Sequence, residues 1–176
     1  DTVKLVALSR ADDFSQEFCK GIAMTDLNFY VANSDDVELT DAPAGVTLAA
    51  VTAESETEPN YVMSGTPTAT GTFNFTITAS SEACEASVKT FNGTIIVDTI
   101  PAVTITTDAT NNTVCAGETI TLTATAGYEA YTWNNESEDD VVEEIPDRTH
   151  YKVTVTNGEG CSNTAEIDIT INTLPT

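Results

Sequence analysis

Four cysteines carry the plainest chemistry in this chain: Cys19, Cys84, Cys115 and Cys161. None forms a Cys-x-x-Cys pair, and His150 is the single histidine, so a zinc site lacks its usual ligands. Disulfides in an oxidising, extracytoplasmic compartment are the natural use of such residues. Four cysteines allow three connectivities. They fall two and two into the halves of the chain, and bridges kept within each half predict Cys19–Cys84 and Cys115–Cys161. Any other connectivity would tie the halves together. Each bridge would stabilise by roughly 2–5 kcal/mol and make the loop it closes inextensible under tension. The plainer alternative is four reduced, buried thiols.

Carboxylates are the second resource. Asp and Glu number 28 against 6 Lys and Arg, a net charge of −22. Such a surface repels nucleic acid and anionic membranes and attracts divalent cations. Calcium, a hard ion taking about 6–8 oxygens, has candidate ligands in Glu136, Glu138, Asp139 and Asp140, with Glu143 and Glu144 just beyond, and in Asp98 and Asp108 near the middle of the chain. None follows the order of an EF-hand loop, and a solvated acidic face is the simpler reading. No Ser/His/Asp or Cys/His arrangement surrounds His150, and carboxylate pairs are inevitable at this density of acid. The chain therefore reads as non-enzymatic, with no catalytic residue. Trp133, the only tryptophan, lies between Cys115 and Cys161, where it reads as a core residue rather than a sugar-stacking platform.

The elements that position these residues are strands. Apolar residues alternate at Phe73, Phe75, Ile77 and Ala79, at Ile120, Leu122, Ala124 and Ala126, and at Tyr151, Val153 and Val155, with threonine dominating the intervening wet face. Turn signals punctuate them at Asp41-Ala42-Pro43-Ala44-Gly45, Ser64-Gly65-Thr66-Pro67, Asn92-Gly93 and Asn157-Gly158-Glu159-Gly160. Residues 10–18 are the most helix-like stretch, long enough for a single turn. Both halves close alike, with a strand, a polar turn, a cysteine and a second strand. The expected fold is all-β, two tandem Ig-like antiparallel β-sandwiches, with domains at 1–98 and 99–176. A short Asp98-Thr99-Ile100-Pro101 junction predicts a semi-rigid rod. No apolar run reaches the ~18 residues of a membrane helix. The abrupt Asp1 start and Leu174-Pro175-Thr176 end point to a segment of a longer secreted protein.

Further residues carry a resemblance. Phe18-Cys19-Lys20-Gly21, Met24-Thr25-Asp26-Leu27-Asn28-Phe29, Ala42-Pro43-Ala44-Gly45-Val46 and Ser64-Gly65-Thr66-Pro67-Thr68 occur in that order, followed by Gly71-Thr72-Phe73, Cys84 and Gly93-Thr94-Ile95. This order resembles the Ig-like repeats of large Bacteroidetes surface adhesins, including gliding-motility adhesins exported by type IX secretion. It covers most of residues 12–98. Val114-Cys115-Ala116-Gly117-Glu118, Tyr131-Thr132-Trp133 and Gly160-Cys161 resemble the Ig-like or PKD-like repeats of the same proteins. The acidic stretch after Trp133 departs from that pattern.

The resemblance implies an extracellular, cell-surface, outer-membrane-associated array acting in adhesion or gliding motility. Its partners would be neighbouring Ig-like repeats of the same chain and an extracellular substratum or polysaccharide, with no nucleic acid and no direct membrane insertion. Asp98-Thr99-Ile100 is similar to the short O-glycosylation acceptor of Bacteroidetes, which makes Thr99 a candidate for modification. The runner-up function is a polysaccharide-binding accessory β-sandwich of a secreted enzyme.

Overall fold

Alternation and β-branched residues make strands throughout the computed structural model, which describes residues 7–9, 14–52, 60–81 and 88–173. The chain divides into two compact units, Asp1–Thr99 and Ile100–Thr176. No helix among the described residues is long and apolar enough to cross a membrane.

The first unit holds β1 (Ala7–Ser9), β2 (Phe14–Cys19), β3 (Leu27–Ala32), β4 (Asp36–Thr40), β5 (Val46–Ala50), β6 (Tyr61–Gly65), β7 (Gly71–Ser80) and β8 (Val88–Asp98). One sheet runs β1-β3-β6-β5 and the other β2-β8-β7-β4. Pairing is antiparallel except for β2 on β8, which is parallel, Phe14 against Gly93 through Cys19 against Asp98. This is an Ig-like sandwich. The inward faces bury Leu27, Phe29, Met63, Phe75, Ile77, Ile95 and Val97 between them. Phe91 meets Phe29 edge-on with ring centroids 5.3 Å apart, a favoured aromatic geometry.

The second unit holds β9 (Ile105–Thr107), β10 (Thr113–Cys115), β11 (Ile120–Ala124), β12 (Ala130–Trp133), β13 (Val141–Glu144), β14 (His150–Thr156), β15 (Ser162–Asp168) and β16 (Thr170–Asn172). Its sheets run β13-β11-β9 and β12-β14-β15, and β10 pairs parallel with β16. Ile120, Leu122, Trp133, Tyr151, Val153, Val155 and Ile169 form its core.

Three expectations change. Residues 14–19 extend as β2 rather than turning as a helix, because a full parallel ladder to β8 is available there and tertiary pairing overrides weak local preference. Asn92-Gly93 makes no turn and lies inside β8. Gly93 faces Phe75 across the ladder, and a residue without a side chain leaves room there for a large neighbour. Ala126 is exposed, because β11 ends at Ala124.

Candidate functional site

The two units share a corner built on Cys-x-Gly. In the first, Cys19 ends β2 opposite Asp98, and the Lys20 N–H donates to the Asp98 carbonyl at 2.9 Å. The Ile22 N–H closes the turn on the Cys19 carbonyl at 3.1 Å, with Gly21 at φ +77°. In the second, Cys115 ends β10 opposite Asn172, and the Ala116 N–H donates to the Asn172 carbonyl at 2.8 Å. The Glu118 N–H closes on the Cys115 carbonyl at 3.1 Å, with Gly117 at φ +90°. A Cβ at either glycine meets nothing within 4 Å. Glycine is needed at both for its left-handed backbone rather than for space.

The cysteines at these corners differ in state. Cys19 is disulfide-bonded. Cys115 is an exposed free thiol. Cys161, disulfide-bonded and fully buried, follows the β14–β15 turn, where its N–H donates to Asn157 Oδ1 at 2.8 Å. The expected Cys115–Cys161 bridge is therefore not formed. The strand register gives the reason. Cys115 aligns with Asn172 at the far end of the β15–β16 run, whereas Cys161 precedes its first residue, Ser162. At ~3.3 Å per extended residue that stretch can hold the two as much as roughly 30 Å apart, where a disulfide tolerates ~7 Å between Cα atoms. Cys84, the other expected partner of Cys19, lies outside the described residues.

The acidic stretch is a folded connection between β12 and β13. Ser137 N–H donates to Asn135 Oδ1 at 3.2 Å, Glu136 sits at φ +71°, and Trp133 N–H donates to the Ser137 carbonyl at 2.9 Å. Trp133 is 2% exposed, and its indole Nε1–H donates to the Asp139 carbonyl at 2.8 Å. The tryptophan thus packs in the core while its one polar atom pins the acidic loop. Glu136, Glu138 and Asp139 point to solvent and Asp140 is half-buried. Glu144 turns inward, accepting from the fully buried Tyr151 hydroxyl at 2.5 Å and from Asn135 Nδ2 at 2.6 Å. Burial foremost, then the bond to Glu144, pushes the Tyr151 phenol well above its ordinary range.

The remaining calcium candidates are dispersed. Asp108 is exposed and its Oδ1 accepts the Thr121 N–H at 2.9 Å. That backbone bond, with a side-chain bond to the same residue, lowers its carboxyl below the usual value. Asp98 is half-buried beside Cys19, and its Oδ2 has no hydrogen-bond partner. Among the described residues no three His, Cys, Asp or Glu side chains gather as a metal site. Thr99 is exposed. His150, also exposed, faces two carboxylates, Asp168 at 2.8 Å and Glu166 at 3.9 Å. These groups form a polar cluster on a sheet face, shared with Lys152, whose Nζ lies 3.1 Å from Glu166.

Sequence reasoning did not single out the Tyr151–Glu144–Asn135 cluster. Tyr151 lies on β14 and Glu144 on β13, in different sheets, and only the packing of those sheets brings them together. Nor did it foresee the role of the Ser-Gly-Thr-Pro element. Gly21 N–H donates to the Pro67 carbonyl at 2.8 Å and Met24 N–H to the Gly65 carbonyl at 2.9 Å. This element therefore holds the loop that follows Cys19.

Fold and sites together define a chain of Ig-like modules. No protein-family model and no curated protein matches the sequence. Among solved structures, the N-terminal four Ig domains of Dscam1 match at 10% identity and TM-score 0.36, over 98% of this chain and 47% of that one. This chain thus spans about half the length of that structure. The D00-D0 domain of intimin matches at 13% identity and TM-score 0.41, over 94% of this chain and 100% of that one. A Bacteroides ovatus SGBP-B of a mixed-linkage glucan utilization locus, solved with a mixed-linkage heptasaccharide, matches at 13% identity and TM-score 0.33, over 96% and 48%. At such scores they illustrate the Ig-like fold and carry no argument about function.

Proposed function

We propose that this chain is a non-catalytic segment of an extracellular surface adhesin, in which Ig-like modules space or present a binding region. The carrying observation is one cysteine corner built twice, hydrogen bond for hydrogen bond, at the end of each unit's parallel strand pair. A repeated joint on an acidic, strand-rich chain suits an array better than a reaction centre. The residue order of the first unit supports a place among gliding-motility adhesins exported by type IX secretion, where a moving surface filament would transmit thrust. An array bound to the outer membrane, its weak contacts summed by multivalency, would hold a substratum firmly. Exposed Thr99 is the proposed O-glycan acceptor, checked by intact mass.

The test is attachment of the producing cells to their substratum in the presence of excess soluble chain. Inhibition supports an adhesive role. Full attachment and gliding after in-frame removal of these residues from the parent protein would overturn it.

One observation favours polysaccharide binding as a second reading. The outer face of β2, β8 and β7 has a shallow depression of about 460 Å³ lined by the side chains of Ser15, Asn74, Thr76, Asn92 and Thr94 over Phe75 and Gly93. It bears amides and hydroxyls without charge, an unusual patch on a chain of −22. Thr76 donates to Asn92 Oδ1 at 2.9 Å and Thr94 to Asn74 Oδ1 at 3.0 Å. A glycan array decides it: neutral glycan binding abolished by Asn74→Asp with Asn92→Asp would favour this reading, and an empty array would remove it.

A further inference from the structure

We propose that the depression on the outer face of β2, β8 and β7 reads pairs of adjacent hydroxyls on a neutral polysaccharide, with Asn74, Thr76, Asn92 and Thr94 as its contacts. The inference rests on the polysaccharide-binding reading above and names the group that is recognised.

β7 and β8 carry the same pattern, Asn74-Phe75-Thr76 and Asn92-Gly93-Thr94. Their antiparallel register sets Asn74 opposite Thr94 and Thr76 opposite Asn92. A local two-fold through the Phe75–Gly93 pair therefore relates one Asn–Thr pair to the other. Each threonine hydroxyl spends its hydrogen on the facing amide, Thr76 on Asn92 Oδ1 at 2.9 Å and Thr94 on Asn74 Oδ1 at 3.0 Å. Those bonds fix which way each amide points. They leave the Nδ2–H donors and the threonine Oγ1 lone pairs to a ligand. Neither Nδ2 has a partner among the described residues.

Each pair thus offers one donor beside one acceptor. Two adjacent sugar hydroxyls meet that demand, one accepting from Nδ2 and the other donating to Oγ1. A lone hydroxyl meets half of it. The second pair repeats the arrangement about 7 Å further along the strands, two residues at ~3.4 Å each, so one polymer strand finds two grips. Ser15, aligned with Thr94 in the β2–β8 register, adds a hydroxyl at the rim. Charge selects the class of polymer. The depression holds no ionised side chain, exposed Glu38 lies beside it opposite Thr78, and the chain bears −22. An anionic polysaccharide is repelled there and a neutral one is not. Phe75 is fully buried and gives no stacking surface, so a single site binds weakly and a polymer gains by multivalency.

The test is affinity electrophoresis of the 176-residue chain in native gels cast with dextran, galactomannan or a linear 1,3-linked glucan, all neutral. Dextran and galactomannan keep adjacent free hydroxyls on their rings. The 1,3-linked glucan has none along its length, because the linkage takes the middle hydroxyl of three. Retardation by dextran or galactomannan and none by the 1,3-linked glucan is expected. Periodate oxidation with borohydride reduction, which destroys adjacent diols, should weaken binding to the same polymer by about tenfold, the worth of two exposed hydrogen bonds. Thr76→Val with Thr94→Val removes both acceptors at nearly constant shape and should weaken it as much. Equal retardation by the 1,3-linked glucan, or by the oxidised polymer, would overturn the diol inference and leave polysaccharide binding standing. Absence of retardation by every neutral polymer would remove both. The polymer comparisons use the wild-type chain, so they hold whatever the stability of the variant.

Discussion

Two side chains of the second unit turn an acidic loop into structure. Trp133 fills the core and its indole donates to the Asp139 carbonyl. As the only tryptophan it should emit blue-shifted fluorescence that iodide does not quench until that unit unfolds. Trp133→Ala should cost about 3–5 kcal/mol through the cavity it leaves, read as a shift in the denaturation midpoint. Tyr151→Phe removes the hydroxyl that Glu144 accepts from, a loss of about 1–3 kcal/mol at neutral pH. The pH dependence follows from the direction of the shift. The folded phenol titrates above the unfolded one, so its contribution is complete below the unfolded value near 10 and disappears as pH rises through the folded value. The melting-temperature gap between wild type and Tyr151→Phe should therefore narrow above about pH 10. A gap constant to the onset of alkaline unfolding would refute this. Core membership of Trp133 was legible from its position between cysteines. The service its nitrogen performs was not, because a loop carbonyl leaves no mark in sequence.

Among the elements, the end of the β5–β6 pair where Gly45 leads into β5 and Gly65 closes β6 has little tolerance. Gly65 sits at φ +143°, and a Cβ there would stand 2.1 Å from the Gly45 carbonyl oxygen. Gly45 is equally confined, its Cβ position 2.2 Å from the Thr66 carbonyl oxygen. Gly65→Ala combines strained backbone with a clash against main chain and should cost at least about 2 kcal/mol, measured by urea unfolding of the first unit. A loss under about 0.5 kcal/mol, as at an ordinary surface site, would contradict that geometry. Ser64-Gly65-Thr66-Pro67 makes no turn: Ser64 and Gly65 finish β6, and the motif marks where that strand stops. Local logic failed too at Asn92-Gly93, where a long ladder to β7 carried the strand through. It failed also at residues 14–19, where a parallel partner 79 positions away in register made a strand of a weak helical pattern.

For the molecule as a whole, the net charge of −22 loads the folded state with self-repulsion. Raising ionic strength from about 0.01 to 0.15 M, which shortens the screening length from about 30 to 8 Å, should raise the melting temperature. Calcium should add nothing beyond magnesium at matched ionic strength, since no three ligands gather among the described residues. A calcium-specific rise reversed by chelator would show a site assembled elsewhere. The sequence by itself determined the β class, the inward faces of the long strands and the repeated Cys-x-Gly corner, because period-two burial and positive-φ glycines are local requirements. Only the tertiary structure decided which cysteines can meet. Disulfide pairing depends on separation in space, and parallel strand register set Cys115 opposite Asn172 of β16, whereas Cys161 precedes β15. The even division of cysteines between the halves could not reveal that distance.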